Sequence, residues 1–205
     1  MSEPAQTEKL IKETAKQVFF QKGFLKATTQ EIADEAGVNR ALIHYYFRSR
    51  EQLLDTLLEE AVTEKKERMK VIFGSNDTFP NKIREYISMI IDRGITYPYL
   101  ENFLISEIAS HPDKMKMSCF KDRVKSFDLI KHDLEEEIRK GKIAPITPQN
   151  FMINLTSMCN YPFLAKSILQ AIHGMTDAAF KKFVLDRKEV IFSTLFNEVT
   201  PTTHA

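Results

Sequence analysis

The chain has 205 residues, of which 43% are hydrophobic and 28% are charged, and its formal net charge is +1. This length and composition fit one globular domain, or a small domain joined to a larger one, with enough apolar side chains for a sizeable core. Because the whole molecule is not a polycation, any binding to nucleic acid has to come from a local basic surface.

The chain begins with MSEPAQTEKL, which lacks the basic and then apolar order of a signal peptide. The longest apolar runs, such as residues 87–91, are too short to span a bilayer. The two cysteines, Cys119 and Cys159, make neither a disulfide framework nor a CxxC pair. These features predict a soluble, cytoplasmic protein without a membrane partner and with structural thiols.

Apolar residues recur at helical spacing along almost the whole chain, and alternating strand patterns are nearly absent. The sequence therefore predicts an all-α fold of roughly nine helices. Four glycines each follow a helical stretch, where a left-handed residue ends a helix at low cost: Gly23, Gly37, Gly141 and Gly174. The GSND sequence at residues 74–77 predicts the end of one long helix and the start of a second bundle.

The segment TTQEIADEAGVNRALIHYYFRSR, residues 28–50, predicts two short helices joined by a tight turn. Thr28 and Glu31 have the spacing of a capping box at the start of the first helix. Gly37 turns the chain, and Asn39 is a favourable N-cap for the second helix. A second capping box, Ser49 with Gln52, predicts the start of the long helix that follows.

Buried and outward positions separate within this segment. The residues expected to face the core are Ile32, Ala33 and Ala36 in the first helix, Val38 in the turn, and Ile43 and Phe47 in the second helix. The outward residues form a candidate DNA face: Thr29, Gln30, Arg40, Ala41, Leu42, His44, Tyr45, Tyr46 and Arg50. A helix with such a face fits the major groove of duplex DNA, where its early residues reach base edges.

The chemistry of the DNA face suits both bases and phosphates. Arg40 can donate two hydrogen bonds to a guanine, Gln30 can pair with an adenine, and His44 can donate or accept. Apolar contacts to a thymine methyl group are expected from Ala41 and Leu42. Phosphate contacts, which position a protein without reading sequence, are expected from Thr29, Tyr46 and Arg50.

Two capped short helices also occur in many helical proteins, in which the tyrosines would pack on neighbours and Arg48 and Arg50 would be solvated surface charges. The residue types at these spacings, however, resemble the signature of the tetracycline-repressor (TetR) family. That signature reads TT-x-x-x-IA-x-x-AGV, then a short helix ending in an aromatic pair and Phe, then Lys-Glu-x-Leu. The matching residues are Thr28-Thr29, Ile32-Ala33, Ala36-Gly37-Val38, Tyr45-Tyr46-Phe47 and Arg50-Glu51-Gln52-Leu53, with Phe19-Phe20 and Gly23-Phe24 upstream. Only two residues separate Thr29 from Ile32, where the signature has three.

The match covers about residues 7 to 60, and beyond residue 60 the likeness is only one of architecture. The sequence departs from the family at His44, where Tyr is common, and at Arg50, where Lys is usual. Residues 1–8 contain no Lys or Arg, so we expect no basic arm in the minor groove.

The resemblance implies an N-terminal three-helix bundle with a helix-turn-helix, joined by a long helix to a larger C-terminal helical bundle. The domains are expected at residues 1–50, for DNA binding, and 51–205, for effector binding and dimerisation. A homodimer would form through the last two long helices, near residues 147–172 and 176–197, although these helices would also suit the core of one subunit. Thr147 and Pro148 mark the start of the first, and Pro162 should kink or split it.

The resemblance also implies a small-molecule effector in the C-terminal bundle, apolar or amphipathic by default. The candidate lining residues are Met89, Phe103, Phe127, Met152, Met158 and Tyr161, with Glu107 and His111 as polar anchors. Methionine suits adaptable apolar sites, but Met and Phe at helical spacing are more often plain core.

The function expected is that of a ligand-responsive repressor that binds a palindromic operator. An activator of the same fold and a helical adaptor that binds protein instead of DNA are the alternatives. An enzyme is not expected, since no HExxH, GxSxG, Walker loop or GxGxxG occurs. No cofactor and no metal are expected either, because His132 and Asp133 with Glu135 and Glu136 are typical of a solvated helical face.

Overall fold

The structure is a computed structural model that describes residues 3–24, 26–110 and 123–196, with side chains described for residues 4–24, 26–110 and 130–196. Within these residues the chain forms ten α-helices and no strand, which confirms the all-α prediction. The helices are α1 (Glu3–Lys16), α2 (Thr29–Ala36), α3 (Arg40–Phe47), α4 (Arg50–Gly74), α5 (Phe79–Thr96), α6 (Leu100–Ser110), α7 (Arg123–Arg139), α8 (Pro148–Leu164), α9 (Lys166–His173) and α10 (Asp177–Leu195). Helix α1 continues into a π-helical turn, Gln17–Gln21.

By packing, the chain divides into two compact units. The N-terminal unit holds the described residues up to Lys65 together with α6, and the C-terminal unit holds residues 66–95 and helices α7 to α10. The boundary expected between residues 50 and 51 concerns function and stays a prediction. Packing instead places the first part of α4 with the N-terminal helices.

The N-terminal unit has its own apolar core, to which α1, α2, α3, α4 and α6 contribute. Its buried side chains are Ile11, Ala15, Val18, Phe19, Phe20, Ala27, Ile32, Ala33, Ile43, Phe47, Leu53, Leu54, Leu57, Leu58, Leu100, Phe103 and Leu104. Helix α6 is tied to the end of α1, since the N–H of Tyr99 donates to the carbonyl of Phe20 at 3.0 Å. The ring of Tyr99 covers Gly23, where a Cβ atom would lie 2.8 Å from the ring, so only glycine fits this contact.

The caps predicted at Thr28 and Asn39 are present. The Thr28 hydroxyl accepts from the N–H of Glu31, while the Glu31 carboxylate accepts from the N–H of Thr28 at 2.7 Å. Asn39 caps α3 by accepting from the N–H of Ala41 at 2.8 Å. All four predicted helix-ending glycines have positive φ, among them Gly37 at 65°. Helix α4 ends at Gly74 and α5 begins at Phe79, as the GSND sequence predicts.

A second apolar core fills the C-terminal unit, with buried side chains from α5, α7, α8 and α10 and from the end of α4. Ion pairs join its helices: Lys82 to Asp133 at 2.9 Å and Lys188 to Asp92 at 2.7 Å. Within the described part of the chain, no helix is long and apolar enough to cross a membrane.

Helix α8 begins and is interrupted as its prolines predict. Thr147 caps it, with Pro148 in the first turn. The helix continues through Pro162 and ends at Leu164, and α9 begins at Lys166, so the predicted single helix is split in two. This split raises the helix number above the nine expected. Because Pro162 has no N–H, it cannot satisfy the carbonyl of Met158; Nη2 of Arg187 donates to that oxygen instead, at 3.5 Å.

Candidate nucleic-acid interface

Helix α3 has a buried side and an exposed side. Ile43 is fully buried and Phe47 is 6% exposed, which confirms that both face the core. The exposed residues of α3 are Arg40, Ala41, His44 and Tyr45, and the half-buried ones are Leu42 and Tyr46. An eight-residue helix held by two core anchors therefore presents most of its predicted DNA face to solvent.

The two helices of the motif are joined on this exposed side by a side-chain contact. Nε of Arg40, the first residue of α3, donates to the Thr29 hydroxyl in the first turn of α2 at 3.1 Å. The Nη groups of Arg40 make no hydrogen bond to other described residues. The contact fixes one edge of the guanidinium and leaves the edge that can bind a guanine bidentately available.

Gln30, in the first turn of α2, is held within its own helix. Its Nε2 donates to the carboxylate of Asp34 at 2.7 Å, in a hydrogen bond that is exposed to solvent. Gln30 can contact an adenine only if this hydrogen bond breaks. Its side chain is therefore less well oriented for base contact than that of Arg40.

Tyr46 is engaged with the start of the chain. Its hydroxyl donates to the backbone carbonyl of Pro4, in the first turn of α1, at 3.0 Å. Its ring meets the exposed ring of Tyr45 edge-on, with the centroids 5.0 Å apart. No sequence pattern indicates the role of Pro4, because the two residues are 42 positions apart.

Arg50 lies at the start of α4 and is half-buried. Its Nε donates to the carbonyl of Ala27 at 2.7 Å, and its guanidinium lies 5.2 Å from the centroid of the Phe19 ring. These contacts hold the start of α4 against the residues that precede α2. The phosphate contact predicted for Arg50 has to be made in addition to this structural one.

Arg48 has an unusual backbone conformation between α3 and α4. Its φ is 64° and its ψ is −46°, and the N–H of Ser49 donates to the carbonyl of Phe47 at 2.7 Å across it. This is the geometry of a γ-turn that is rare for a residue with a side chain. Sequence reasoning placed Arg48 at the junction without a role and missed the turn, since arginine carries no signal for positive φ.

The start of α2 also fixes the charge of Glu31. The backbone N–H and then the hydroxyl of Thr28 donate to its carboxylate, which lowers the pKa of Glu31. The carboxylate therefore keeps its charge to a lower pH than an ordinary glutamate, and this charge interacts favourably with the helix N-terminus.

The candidate effector residues do not share one core. Met89 is buried in the core of the C-terminal unit, and Met152 and Met158 pack against it. Phe103 belongs to the N-terminal core, where its ring meets Phe19 edge-on at 5.7 Å. Glu107 is half-buried on α6, and Tyr161 is 59% exposed on α8. The side chains of the last two candidates, His111 and Phe127, lie outside the described residues.

The acidic and histidine cluster on α7 takes part in ion pairs. Asp133 pairs with Lys82 and Glu136 with Lys140, at 2.9 and 2.7 Å. Over the part of the chain that the structure describes, no group of three His, Cys, Asp or Glu side chains is arranged to hold a metal ion.

Family models match both parts of the chain. The model described as bacterial regulatory proteins, tetR family, matches residues 11–57, which include α2 and α3. The model described as tetracyclin repressor-like, C-terminal domain, matches residues 77–200.

Individual proteins show the same likeness. The HTH-type transcriptional regulator RutR of Escherichia coli (strain K12) is 26% identical over 170 residues, which cover 82% of this chain and 79% of RutR. The nucleoid occlusion factor SlmA of Mannheimia succiniciproducens is 24% identical over 147 residues, covering 70% of this chain and 68% of SlmA. The crystal structure of the TetR family transcriptional regulator PfmR from Thermus thermophilus has the same fold, with a TM-score of 0.63 at 13% identity over 94% of this chain and 96% of PfmR.

Proposed function

The chain belongs to the TetR family of bacterial regulatory proteins, and from this we propose that it is a repressor that binds a palindromic operator as a homodimer and is released by a small molecule. As a member of that family it is a DNA-binding transcriptional regulator and not an enzyme. We expect it to act in the cytoplasm.

The observation that carries the proposal is the exposed side of α3 with its positioned arginine. Arg40 lies in the first turn of α3, the proposed reader helix, where side chains reach base edges in the major groove. Its Nε donates to the Thr29 hydroxyl at 3.1 Å. Ala41 and His44, exposed beside it, supply an apolar and a polar contact. Thr29, Tyr46 and Arg50 are proposed to face phosphates at the edge of this surface.

Exposed apolar side chains support the homodimer. Helix α9 has no buried residue, yet Ile168 and Ile172 on one of its sides are 61% and 69% exposed. Neighbouring helices α8 and α10 add further exposed apolar side chains: Ile153, Tyr161, Leu164, Leu185 and Val190. Exposed apolar side chains in this number favour association with a second copy, and two copies of α3 give the interface area that specific binding needs.

Release is proposed to act through α4, which follows the reader helix after only Arg48 and Ser49. An apolar or amphipathic effector near Met89, Met152 and Met158 would shift α4 and change the separation of the two reader helices. Typical coupling free energies between such sites are about 1–3 kcal/mol. Because Phe103 packs in the other core, we propose that it supports α1 and does not line the effector site.

Selection of bound fragments from a random DNA pool by the purified protein tests the proposal. We expect enrichment of a palindrome whose half-sites lie about one helical turn apart, or a multiple of it. Affinity for the selected site should fall steeply with added salt, because several phosphates are neutralised. If no DNA sequence is enriched, and if any residual binding to DNA does not depend on salt, the adaptor alternative is favoured.

A further inference from the structure

Arg48, between α3 and α4, has a strained backbone that its place in the fold does not require of an arginine. Among the described residues it is the only one other than glycine with a positive φ, at 64°. The turn leads directly into α4, where the Ser49 hydroxyl accepts from the N–H of Gln52 at 3.1 Å. Glycine adopts such a φ without strain. The turn itself therefore gives no reason for an arginine at this position.

The Arg48 side chain also has no structural contact that would compensate for the strain. It is exposed, and it makes no hydrogen bond, ion pair or ring contact with any described residue. Arg50 differs, because its Nε donates to the carbonyl of Ala27 at 2.7 Å. Of the two arginines at this junction, Arg50 is held by the fold, whereas the guanidinium donors of Arg48 are available to a partner outside the chain.

Arg48 lies at the far end of the exposed side of α3. Its N–H donates to the carbonyl of His44 at 3.0 Å, so its backbone still follows the last turn of the helix. It comes seven, four and three positions after the exposed residues Ala41, His44 and Tyr45, spacings that share one side of a helix.

The distance between Arg48 and Arg40 matches the dimensions of the major groove. Arg40 and Arg48 stand at opposite ends of α3, and their separation in sequence corresponds to about 12 Å along the helix axis. The major groove of duplex DNA is also about 12 Å wide. When Arg40 reaches base edges, Arg48 is therefore close to the phosphates at the edge of the groove.

We propose that Arg48 is a further residue of the DNA face and that its guanidinium binds a backbone phosphate of the duplex. Two parallel N–H groups of an arginine match the geometry of a phosphate. Because phosphates carry no sequence information, this contact strengthens binding to every duplex and leaves base preference unchanged. The inference rests on the DNA binding in the proposed function and adds a residue to it.

Two variants of the full-length protein separate the charge of Arg48 from its backbone strain. Arg48→Gln and Arg48→Lys both keep a side chain at the positive φ, but only the glutamine removes the charge. Fluorescence anisotropy with a random-sequence duplex, over a range of salt concentrations, measures binding. We expect Arg48→Gln to weaken it several-fold and to lower the slope of log affinity against log salt concentration by about 0.9 for each bound subunit. Arg48→Lys should keep the wild-type slope.

A third variant, Arg48→Gly, shows whether binding and folding respond in opposite directions. It should keep or raise the melting temperature, because the strain is relieved, while it weakens DNA binding as much as Arg48→Gln does. Lys131→Ala removes an exposed cation from α7 and is the matched control, which should bind as the wild type does.

Several results would overturn the role of Arg48. If the wild-type protein binds the duplex with a steep salt dependence and Arg48→Gln has the same affinity and slope, Arg48 is a solvated charge and DNA binding itself stands. If Arg48→Gln instead changes preference at a single base-pair position of the selected operator, Arg48 reads a base and contacts no phosphate. If the wild-type protein binds no duplex at all, the proposed function fails and the role of Arg48 fails with it.

Discussion

At the residue scale, the DNA face consists of side chains that differ in how far the protein itself holds them. Arg40 is fixed at one edge by Thr29, Gln30 is bonded to Asp34, and Tyr46 is bonded to the backbone of Pro4. A side chain that is already oriented loses less rotamer freedom when it binds. Arg40 can bind a base without losing its contact to Thr29, whereas Gln30 has to break its bond to Asp34. We therefore expect Arg40 to contribute more to sequence recognition than Gln30.

Arg40→Ala should weaken binding to the selected operator by about 1–3 kcal/mol, because a bidentate base contact is lost. Preference at one base-pair position of each half-site should also relax. Fluorescence anisotropy with the operator and with single-base variants measures both effects. Lys131→Ala removes an exposed cation from α7 and is the control for a general loss of charge. Unchanged affinity and unchanged preference would remove Arg40 from the base-reading residues.

Tyr46→Phe should weaken binding to all DNA sequences by a similar factor, because neither a phosphate contact nor an anchored α1 reads bases. The lost hydrogen bond is expected to cost about 0.5–1.5 kcal/mol. Anisotropy with operator and unrelated DNA measures the effect. An effect at a single base position would contradict the prediction.

A truncated chain separates the two possible origins of the Tyr46 effect. Removal of residues 1–4 deletes the carbonyl that accepts from Tyr46. If the hydroxyl acts only by holding the start of α1, Tyr46→Phe should have no further effect in the truncated chain. If the hydroxyl contacts a phosphate, the substitution should weaken binding in both chains.

At the element scale, helix boundaries follow local rules and are well predicted. Caps at Thr28, Asn39 and Thr147 and the helix-ending glycines depend only on residues a few positions apart. The break in the predicted 147–172 helix was also expected from Pro162, but its place at Ala165 and the donor that compensates for the proline were not. The compensating donor comes from α10, which supplies Arg187 from 29 positions away.

Arg187→Ala should lower the free energy of unfolding by about 1 kcal/mol, because the Met158 carbonyl then has no donor. In a Pro162→Ala background the new amide can bond that carbonyl, so the same substitution should cost less. Chemical denaturation of the four chains at one protein concentration gives the coupling, expected at about 0.5 kcal/mol or more.

Lys182→Ala, which removes an exposed cation from α10, is the matched control for this cycle. Additive effects of the two substitutions, with no coupling, would show that Arg187 does not replace the missing amide of Pro162.

At the scale of the whole molecule, the two cores decide which residues can act together. Phe103 and Met89 were both expected to line one effector pocket of the middle helices, yet the two side chains lie in different cores. Apolar periodicity marks a residue as buried without saying against which element it packs. This is why the buried and exposed sides of α3 could be predicted residue by residue, while the packing partners of the effector candidates could not.

Ile168→Glu should dissociate the proposed dimer, because a carboxylate would be buried in an apolar interface. A cost of about 2 kcal/mol or more corresponds to a dissociation constant raised about thirtyfold. Sedimentation velocity over a range of concentrations measures it. Ser167→Glu, on the same helix, is the control. A wild-type protein that stays monomeric at micromolar concentration would contradict both the dimer and the palindromic operator.

The sequence by itself determined the all-α class, the capped reader helix with its buried and exposed sides, and the family, because these depend on short-range patterns of residue type. Only the tertiary structure decided the contacts of Tyr46 with Pro4, Arg50 with Ala27 and Arg187 with Met158, which join residues 42, 23 and 29 positions apart. Such contacts depend on the direction in which helices from distant parts of the chain point their side chains, and no local pattern encodes that direction.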